Sequence, residues 1–529
     1  VVVSGVISRL LPVNIPRPLV QIALGGLIGS AANLRVTLDP EIFFVLFLPP
    51  LLFLDGWRIP REELFKDAAT IVELALGLVL FTVVGMGFFI HWMIPAMPLA
   101  VAFALAAVVS PTDPIAVSAI AERVRIPKRM MHILEGESLL NDASGLVCLR
   151  FAIAAALTGT FSAGDAALNF LWLAFGGIAV GVGLTWAVAR AKNWVSRRLG
   201  EESASQILIS LLIPFGAYML AEHFHCSGIL AAVAAGLTMG WVEGRGQAMA
   251  TTRIRRSTVW DIIQFAANGI IFVLLGEQLP LIFVGAAETV RLTGHHEPWW
   301  LIVYILAINI GLAGLRYAWV WVSFRFTLLR RGGENIRPNW KVMAAMSFAG
   351  VRGTITLAGV LTLPLALNDG TPFPARDLAI LLAMGVIILS LLAASIGLPW
   401  LLRDLKMPAD PRAASEENKA RAAAACAAIA KIQQVEHNMA RGRADADVYV
   451  AVAADVMEGY RQRLDRLDHE QTSAEERRKL FGIERELRLA AVKAERDALF
   501  AMAKRRELGS EVSRKLIREL DLLEARYTG

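Results

Sequence analysis

Cysteine is nearly absent from this 529-residue chain: Cys148, Cys226 and Cys426 stand far apart. Such spacing excludes a disulfide framework or a thiolate metal cage and leaves three free thiols. The eight histidines show no ligand spacing either. His223/His225 and His295–His296 fall where short loops are expected, and a surface pair accounts for them without a metal. No glycine-rich stretch has the spacing of a nucleotide-phosphate loop, so neither a nucleotide nor another cofactor is expected. Charge is scarce as well. Asp, Glu, Lys and Arg make up 19% of residues against 56% hydrophobic, and the mean hydropathy is +0.52. Ordinary soluble domains sit lower, and the excess lies in long apolar blocks before residue 404.

The charge that is present is placed unevenly. Residues 404–529 hold 24 Lys/Arg and 23 Asp/Glu, nearly half of all charges in the chain. "RRKLFGIERELRLAAVKAERDALFAMAKRREL" carries apolar residues at helical spacing with both signs interleaved. These residues are expected to form a mostly helical cytoplasmic region that serves oligomerisation, stability or regulation. Residues 1–403 read as a transmembrane domain. Its thirteen apolar helical segments are 1–12, 18–33, 41–56, 68–95, 98–122, 130–158, 167–190, 204–221, 228–242, 258–279, 299–324, 342–366 and 377–402. "VVVSGVISRLLP" is short for a span and reads as the end of a first helix, not as a cleavable signal peptide.

Loop charge checks this count, because cytoplasmic loops are enriched in Lys and Arg. Basic residues follow segment five (Arg123, Arg125, Lys128, Arg129), seven (Arg190, Lys192, Arg197, Arg198), nine (Arg245, Arg253, Arg255, Arg256) and eleven (Arg325, Arg330, Arg331, Arg337, Lys341). The alternate loops hold only Arg35, Arg291 and Arg376. The chain therefore starts outside and ends inside. The net charge of +6 comes almost wholly from these loops, so it reflects topology and not nucleic-acid binding.

Three polar clusters interrupt the apolar segments. In "ALAAVVSPTDPIAVSAI" the two prolines remove backbone donors and disfavour the helix before them. Thr112 and Asp113 lie about 15 Å into the segment, near the membrane midplane. Non-helical backbone is tolerated at that depth only when it is buried in protein or lines a cavity. Asp113 can cap the half-helix beginning at Pro114. The second cluster is "MHILEGESLLNDASGLV", where Asp142 stands about 18 Å from the inner end. Ser138 and Asp142 share a face with Gly145, and Glu137 and Asn141 form a neighbouring pair. Intramembrane Glu137, Asn141 and Asp142 are too costly for packing alone and mark a functional site. The third, "FAGVRGTITLAGV", carries Arg352 at similar depth, and Gly350 and Gly353 suggest local unwinding. Arg352 needs a carboxylate partner, and Glu137 is the candidate.

Segments five and twelve are offset by an odd number and run in opposite directions. Two six-helix halves around segment seven would make them equivalent members of an inverted repeat whose broken helices cross at a midplane ion site.

"SPTDPIAVSAI", "EGESLLNDASGLV" and "GVRGTITLAGV", with "LFLPPLLFLDGWRIP" earlier, resemble the monovalent cation/proton antiporters, in the branch of the bacterial and animal sodium/proton exchangers. The resemblance covers residues 1–403. It implies an all-α polytopic membrane protein of about thirteen helices in two inverted six-helix repeats with crossed discontinuous helices. Asp142 would bind either cation or proton. Asn141 before it would mark the type that exchanges one for one without net charge. Thr112 and Ser138 would add oxygens to Asp142 around Na+ (or Li+ or K+), and Asp113 would hold the crossing backbone. Asp55 would line the ion path, and Glu137 and Arg352 would form a buried pair. The implied protein is a homodimer embedded in lipid, in the bacterial inner membrane with a cytoplasmic C-terminus, serving sodium and pH homeostasis.

The physical chemistry agrees with such an activity. Hard monovalent cations take oxygen ligands. An opposite charge at a carboxylate opposes its protonation, so cation and proton compete for one group. A gradient would drive exchange without covalent chemistry, so an enzyme is not expected. The alternative is a cation channel or an ion-sensing membrane protein using the same carboxylates. An intramembrane hydrolase with Asp113 and Asp142 as an aspartyl pair fits less well beside Asn141, Arg352 and the helix breaks.

Overall fold

The computed structural model describes residues 1–10, 16–31, 40–59, 71–113, 128–159, 163–243, 249–292, 297, 299–330, 340–367, 369–402, 411–441, 446–468, 474–505, 507 and 510–528. The chain divides into two compact units, Val1–Lys406 and Met407–Gly529.

The first unit is helical: α1 (Val2–Leu10), α2 (Arg17–Ala31), α3 (Pro40–Arg58), α4 (Val79–Met93, entered through a π-helical turn Glu73–Leu78), α5 (Leu99–Val109), α6 (Lys128–Thr158), α7 (Ala163–Leu199), α8 (Ser203–His223), α9 (Gly228–Glu243), α10 (Ala250–Leu292), α11 (Trp300–Arg330), α12 (Trp340–Phe348), α13 (Thr354–Leu361) and α14 (Arg376–Leu402). A described helix falls on each of the thirteen apolar segments, with α12 and α13 sharing one. Seven of the described spans are long and apolar enough to cross a membrane.

Helix ends depart from the sequence expectation in a consistent way. α7 runs on to Leu199, α10 starts at Ala250 and α11 continues to Arg330. Arg190, Lys192, Arg197, Arg198, Arg253, Arg255 and Arg256 therefore stand on helices and not in loops. Hydropathy marks where lipid ends, whereas a helix persists into the interface as long as its hydrogen bonds do. His223 ends α8, His225 lies in the following turn, and His295–His296 lie outside the described residues.

Glycines set the closest helix contacts. A Cβ on Gly25 of α2 would sit 2.0 Å from the Val273 carbonyl of α10, and one on Gly276 would sit 2.0 Å from that of Ile22. The α3–α9 pair repeats the device: a Cβ on Gly236 would lie 2.1 Å from the Phe53 carbonyl. Without a hydrophobic drive between helices in lipid, such backbone-to-backbone approach supplies the packing.

The second unit contains α15 (Pro411–Ala440), α16 (Ala446–Asp468), α17 (Ala474–Lys504) and α18 (Ser510–Thr528). α15 packs on α16 and α17 on α18. Arg496 ties the latter pair by bridging Glu524 and Asp521.

Gly276→Ala should destabilise the detergent-solubilised protein by about 1–3 kcal/mol through overpacking. Gly314→Ala, whose Cβ meets nothing within 4 Å, should leave the melting temperature unchanged or raise it. Equal effects in thermal unfolding would contradict the packing assigned to α2 and α10.

Candidate ion site at two crossed helix breaks

α5 stops at Val109 because Pro111 cannot donate to the ladder and disfavours helix at the residue before it. α12 stops at Phe348, residues 349–353 are unwound, and α13 starts at Thr354. The two breaks meet. The Asp113 N–H donates to the Val351 carbonyl at 2.7 Å, and the Thr354 N–H donates to Asp113 Oδ2 at 3.4 Å. In return Arg352 Nε donates to the Val109 carbonyl at 2.9 Å, and its Nη1 to that of Gly350. An aspartate thus stands at the positive N-terminus of α13 and an arginine at the negative C-terminus of α5, the favourable sense for both dipoles. The Arg352 N–H donates to Ser390 Oγ of α14 at 3.1 Å. Gly353 is required here, since a Cβ would fall 1.7 Å from Asp113 Oδ2. The half-helix beginning at Pro114 lies outside the described residues. Among the described residues, the helix whose start receives Asp113 is α13.

α6 lies against this crossing. A Cβ on Gly145 would meet Pro111 Cγ at 2.3 Å, so the face shared by Ser138, Asp142 and Gly145 abuts the break. Ser138, Asn141 and Asp142 are all buried. The Asn141 amide donates to Thr112 Oγ1 at 2.9 Å, and the Thr112 hydroxyl donates to Glu137 Oε1 at 3.4 Å.

The expected Glu137–Arg352 pair is replaced by another. Glu137 takes a bidentate fork from Arg316 of α11, Nη1 to Oε1 at 2.5 Å and Nη2 to Oε2 at 2.7 Å. Arg316 Nε donates to the Met346 carbonyl at 2.9 Å. The reason is geometric: Arg352 is engaged with carbonyls at the crossing, while Arg316 projects from a continuous helix. Sequence reasoning missed Arg316 although its signal was present, a lone arginine within "GLAGLRYAWVW". By the depth argument applied to Arg352, it lies about 24 Å along α11. Ser390 was missed too, since a single serine in an apolar helix carries no pattern.

Asp142 contrasts with Glu137 five residues before it on α6. It is 4% exposed, yet among the described residues its carboxylate has neither a hydrogen-bond nor an ion-pair partner. Asp113, Asp55 and Glu137 are within electrostatic reach of it. Asp55, half-buried on α3, faces the charges of Asp113, Arg58 and Glu135. Among the described residues, Asn141 Oδ1 and Ser110 Oγ are enclosed without a hydrogen-bond partner. Buried oxygens of this kind are otherwise costly, and they suit a cation.

Residues 1–404 match the family model for the transmembrane sodium/hydrogen exchangers. This chain belongs to the sodium/hydrogen exchanger family. It is 42% identical to an Escherichia coli K12 protein named uncharacterized Na+/H+ exchanger YjcE, over 99% of this chain and 96% of that one. It is 39% identical to the sodium, potassium, lithium and rubidium/H+ antiporter of Bacillus subtilis 168, over 100% of this chain and 76% of the relative. The fold is similar to that of the sodium/proton antiporter MjNhaP1 from Methanocaldococcus jannaschii at pH 8. That match has a TM-score of 0.59 at 19% identity and covers 76% of this exchanger and 96% of that chain. The exchanger is therefore a transporter with an all-helical integral membrane domain.

Removing one partner of a buried ion pair strands the other charge. Arg316→Gln should destabilise the exchanger by about 3–5 kcal/mol, with Glu137→Gln added restoring part of the loss. In double-mutant cycles by thermal unfolding, Glu137 should couple more strongly to Arg316 than to Arg352. Equal coupling in the two cycles would contradict the pairing.

Proposed function

We propose that this exchanger trades one monovalent cation for one proton at Asp142 by alternating access. One observation carries the reading. Of two buried carboxylates five residues apart on α6, Glu137 is neutralised by Arg316 and Asp142 is left, among the described residues, without a hydrogen-bond or ion-pair partner. A lone carboxylate at that depth needs a cation or a proton to offset its charge.

Thr112 and Ser138 supply hydroxyl oxygens beside Asp142, and Asn141 orients Thr112 through its amide. Asp113 and Arg352 hold the crossing, and Asp55 lines the approach. Na+ is the primary cargo, with Li+ and K+ as further cargoes. The name of the Bacillus subtilis relative, which includes sodium, potassium, lithium and rubidium, supports a site of that breadth. If only the cation-loaded and proton-loaded forms cross, exchange moves no net charge.

The pattern of helix contacts supports two inverted six-helix halves joined by α7. A two-fold axis that exchanges positions seven apart turns the α2–α10 pair into α9–α3, and α4–α5 into α11–α12. It likewise exchanges the broken helix containing α5 with the one formed by α12 and α13. The same reading places the protein as a homodimer in the bacterial inner membrane, with residues 404–529 as a helical region in the cytoplasm.

Asp142→Asn should abolish cation-dependent proton flux in proteoliposomes while the variant still inserts and unfolds at a similar temperature. Retained flux would remove Asp142 from this role. In wild-type vesicles, flux should be the same with the membrane potential clamped or free. A voltage built up by exchange would overturn the one-for-one stoichiometry, and a steady current would point to a channel.

A further inference from the structure

A second feature lies away from the ion site, where α7 meets the end of α9. A groove of about 630 Å³ is lined there by Trp186, Arg190, Trp194 and Arg197 of α7 and by Trp241 of α9. Positions 186, 190, 194 and 197 follow helical spacing and share one face. The three tryptophans are 51%, 58% and 44% exposed. Arg190 stacks over Trp186 at 5.8 Å, and the neighbouring Arg198 over Trp194 at 4.6 Å.

These cations are not spent on nearby acids. Among the described residues no carboxylate pairs with Arg190, Arg197 or Arg198. Glu243 is held by Arg256 and Trp57, Glu201 accepts from the Met249 N–H, and Glu202 accepts from the Ser205 hydroxyl. Guanidiniums in this setting match the fork geometry of a phosphate oxygen pair.

The approach to the groove decides between a free anion and a lipid. Exposed Phe175, Ile178 and Val182 lead along α7 to Trp186 at the same helical spacing, so an apolar stripe runs directly into the basic end. Only 17% of the apolar 18-residue stretch within Leu171–Leu199 is buried inside the protein. Loop charge puts this end at the cytoplasmic surface, the leaflet where juxtamembrane arginines meet anionic headgroups. An apolar track ending in aromatic-backed guanidiniums has the shape and polarity of one phospholipid with a negative headgroup.

We propose that the α7–α9 groove binds the phosphate headgroup of an anionic phospholipid, with an acyl chain lying along the Phe175–Trp186 stripe. The site uses α7, the helix that joins the two proposed halves, and a lipid seated there would stabilise that joint.

The test uses the full chain, delipidated in detergent, with native mass spectrometry and thermal unfolding. Phosphatidylglycerol should remain bound and raise the melting temperature, whereas phosphatidylcholine and inorganic phosphate should not. Arg190→Gln/Arg197→Gln should bind phosphatidylglycerol on the order of tenfold more weakly. Arg253→Gln/Arg255→Gln removes the same charge from exposed positions on α10 and should bind as wild type does. Should the groove double variant fail to fold, Trp194→Leu should lower retention several-fold while keeping the charges. Equal stabilisation by phosphatidylcholine would overturn the headgroup assignment. An equal shift with inorganic phosphate would make the groove a free-anion site. Equal loss in the two arginine pairs, or unchanged retention in Trp194→Leu, would overturn the location.

Discussion

The membrane unit depends on a reciprocal exchange of charge between two interrupted helices. A helix cut at the midplane leaves unpaired carbonyls on one side and unpaired N–H groups on the other, where water is not at hand to satisfy them. Here each break supplies what the other lacks. Asp113, from the break after α5, reaches the start of α13, and Arg352, from the break before α13, reaches the end of α5. The Asp113 N–H to Val351 carbonyl bond pins the two strands where they pass. Neither break is tenable without its counterpart, so the crossing behaves as one element.

The bidentate Glu137–Arg316 fork works at a second level. It joins α6 to α11, and through the Met346 carbonyl it reaches the end of α12 just before the unwound stretch. Glu137 also receives Thr112, which receives Asn141, so the ion pair, the break and α6 form one hydrogen-bonded chain. Pairs this deep are weak evidence for stability, because desolvation offsets much of their attraction. Their effect is positional: they fix Thr112 and α6 relative to each other. After this neutralisation Asp142 is the buried carboxylate of α6 that remains to be balanced by something that comes and goes.

Much of this was legible in the residues, and for identifiable reasons. Apolar runs located the helices because lipid imposes length and composition. Pro111 and Pro114 located one break, and Gly350 and Gly353 the other, because both residue types alter backbone options rather than side-chain contacts. Helical spacing placed Ser138, Asp142 and Gly145 on one face, and the packing of Gly145 on Pro111 shows where that face points. What could not be read was pairing between distant helices. Arg352 and Arg316 are both buried arginines in apolar surroundings, and only the three-dimensional path of α11 decides which reaches Glu137. Helix ends in the interface were also missed, since hydropathy falls before the backbone uncoils. The glycine contacts of α2 with α10 and of α3 with α9 were invisible for a similar reason, as each glycine's partner is a carbonyl on a helix far away in sequence.

The central claim is that cation and proton exclude one another at a single group. It is tested most directly by equilibrium cation binding to the purified exchanger across a pH series, with proton release followed in the same titration. Mutual exclusion requires one proton released per cation bound wherever the site starts protonated, with apparent affinity falling about tenfold for each unit of acidification in that range. Cation affinity that stays constant with pH, or binding without proton release, would contradict it.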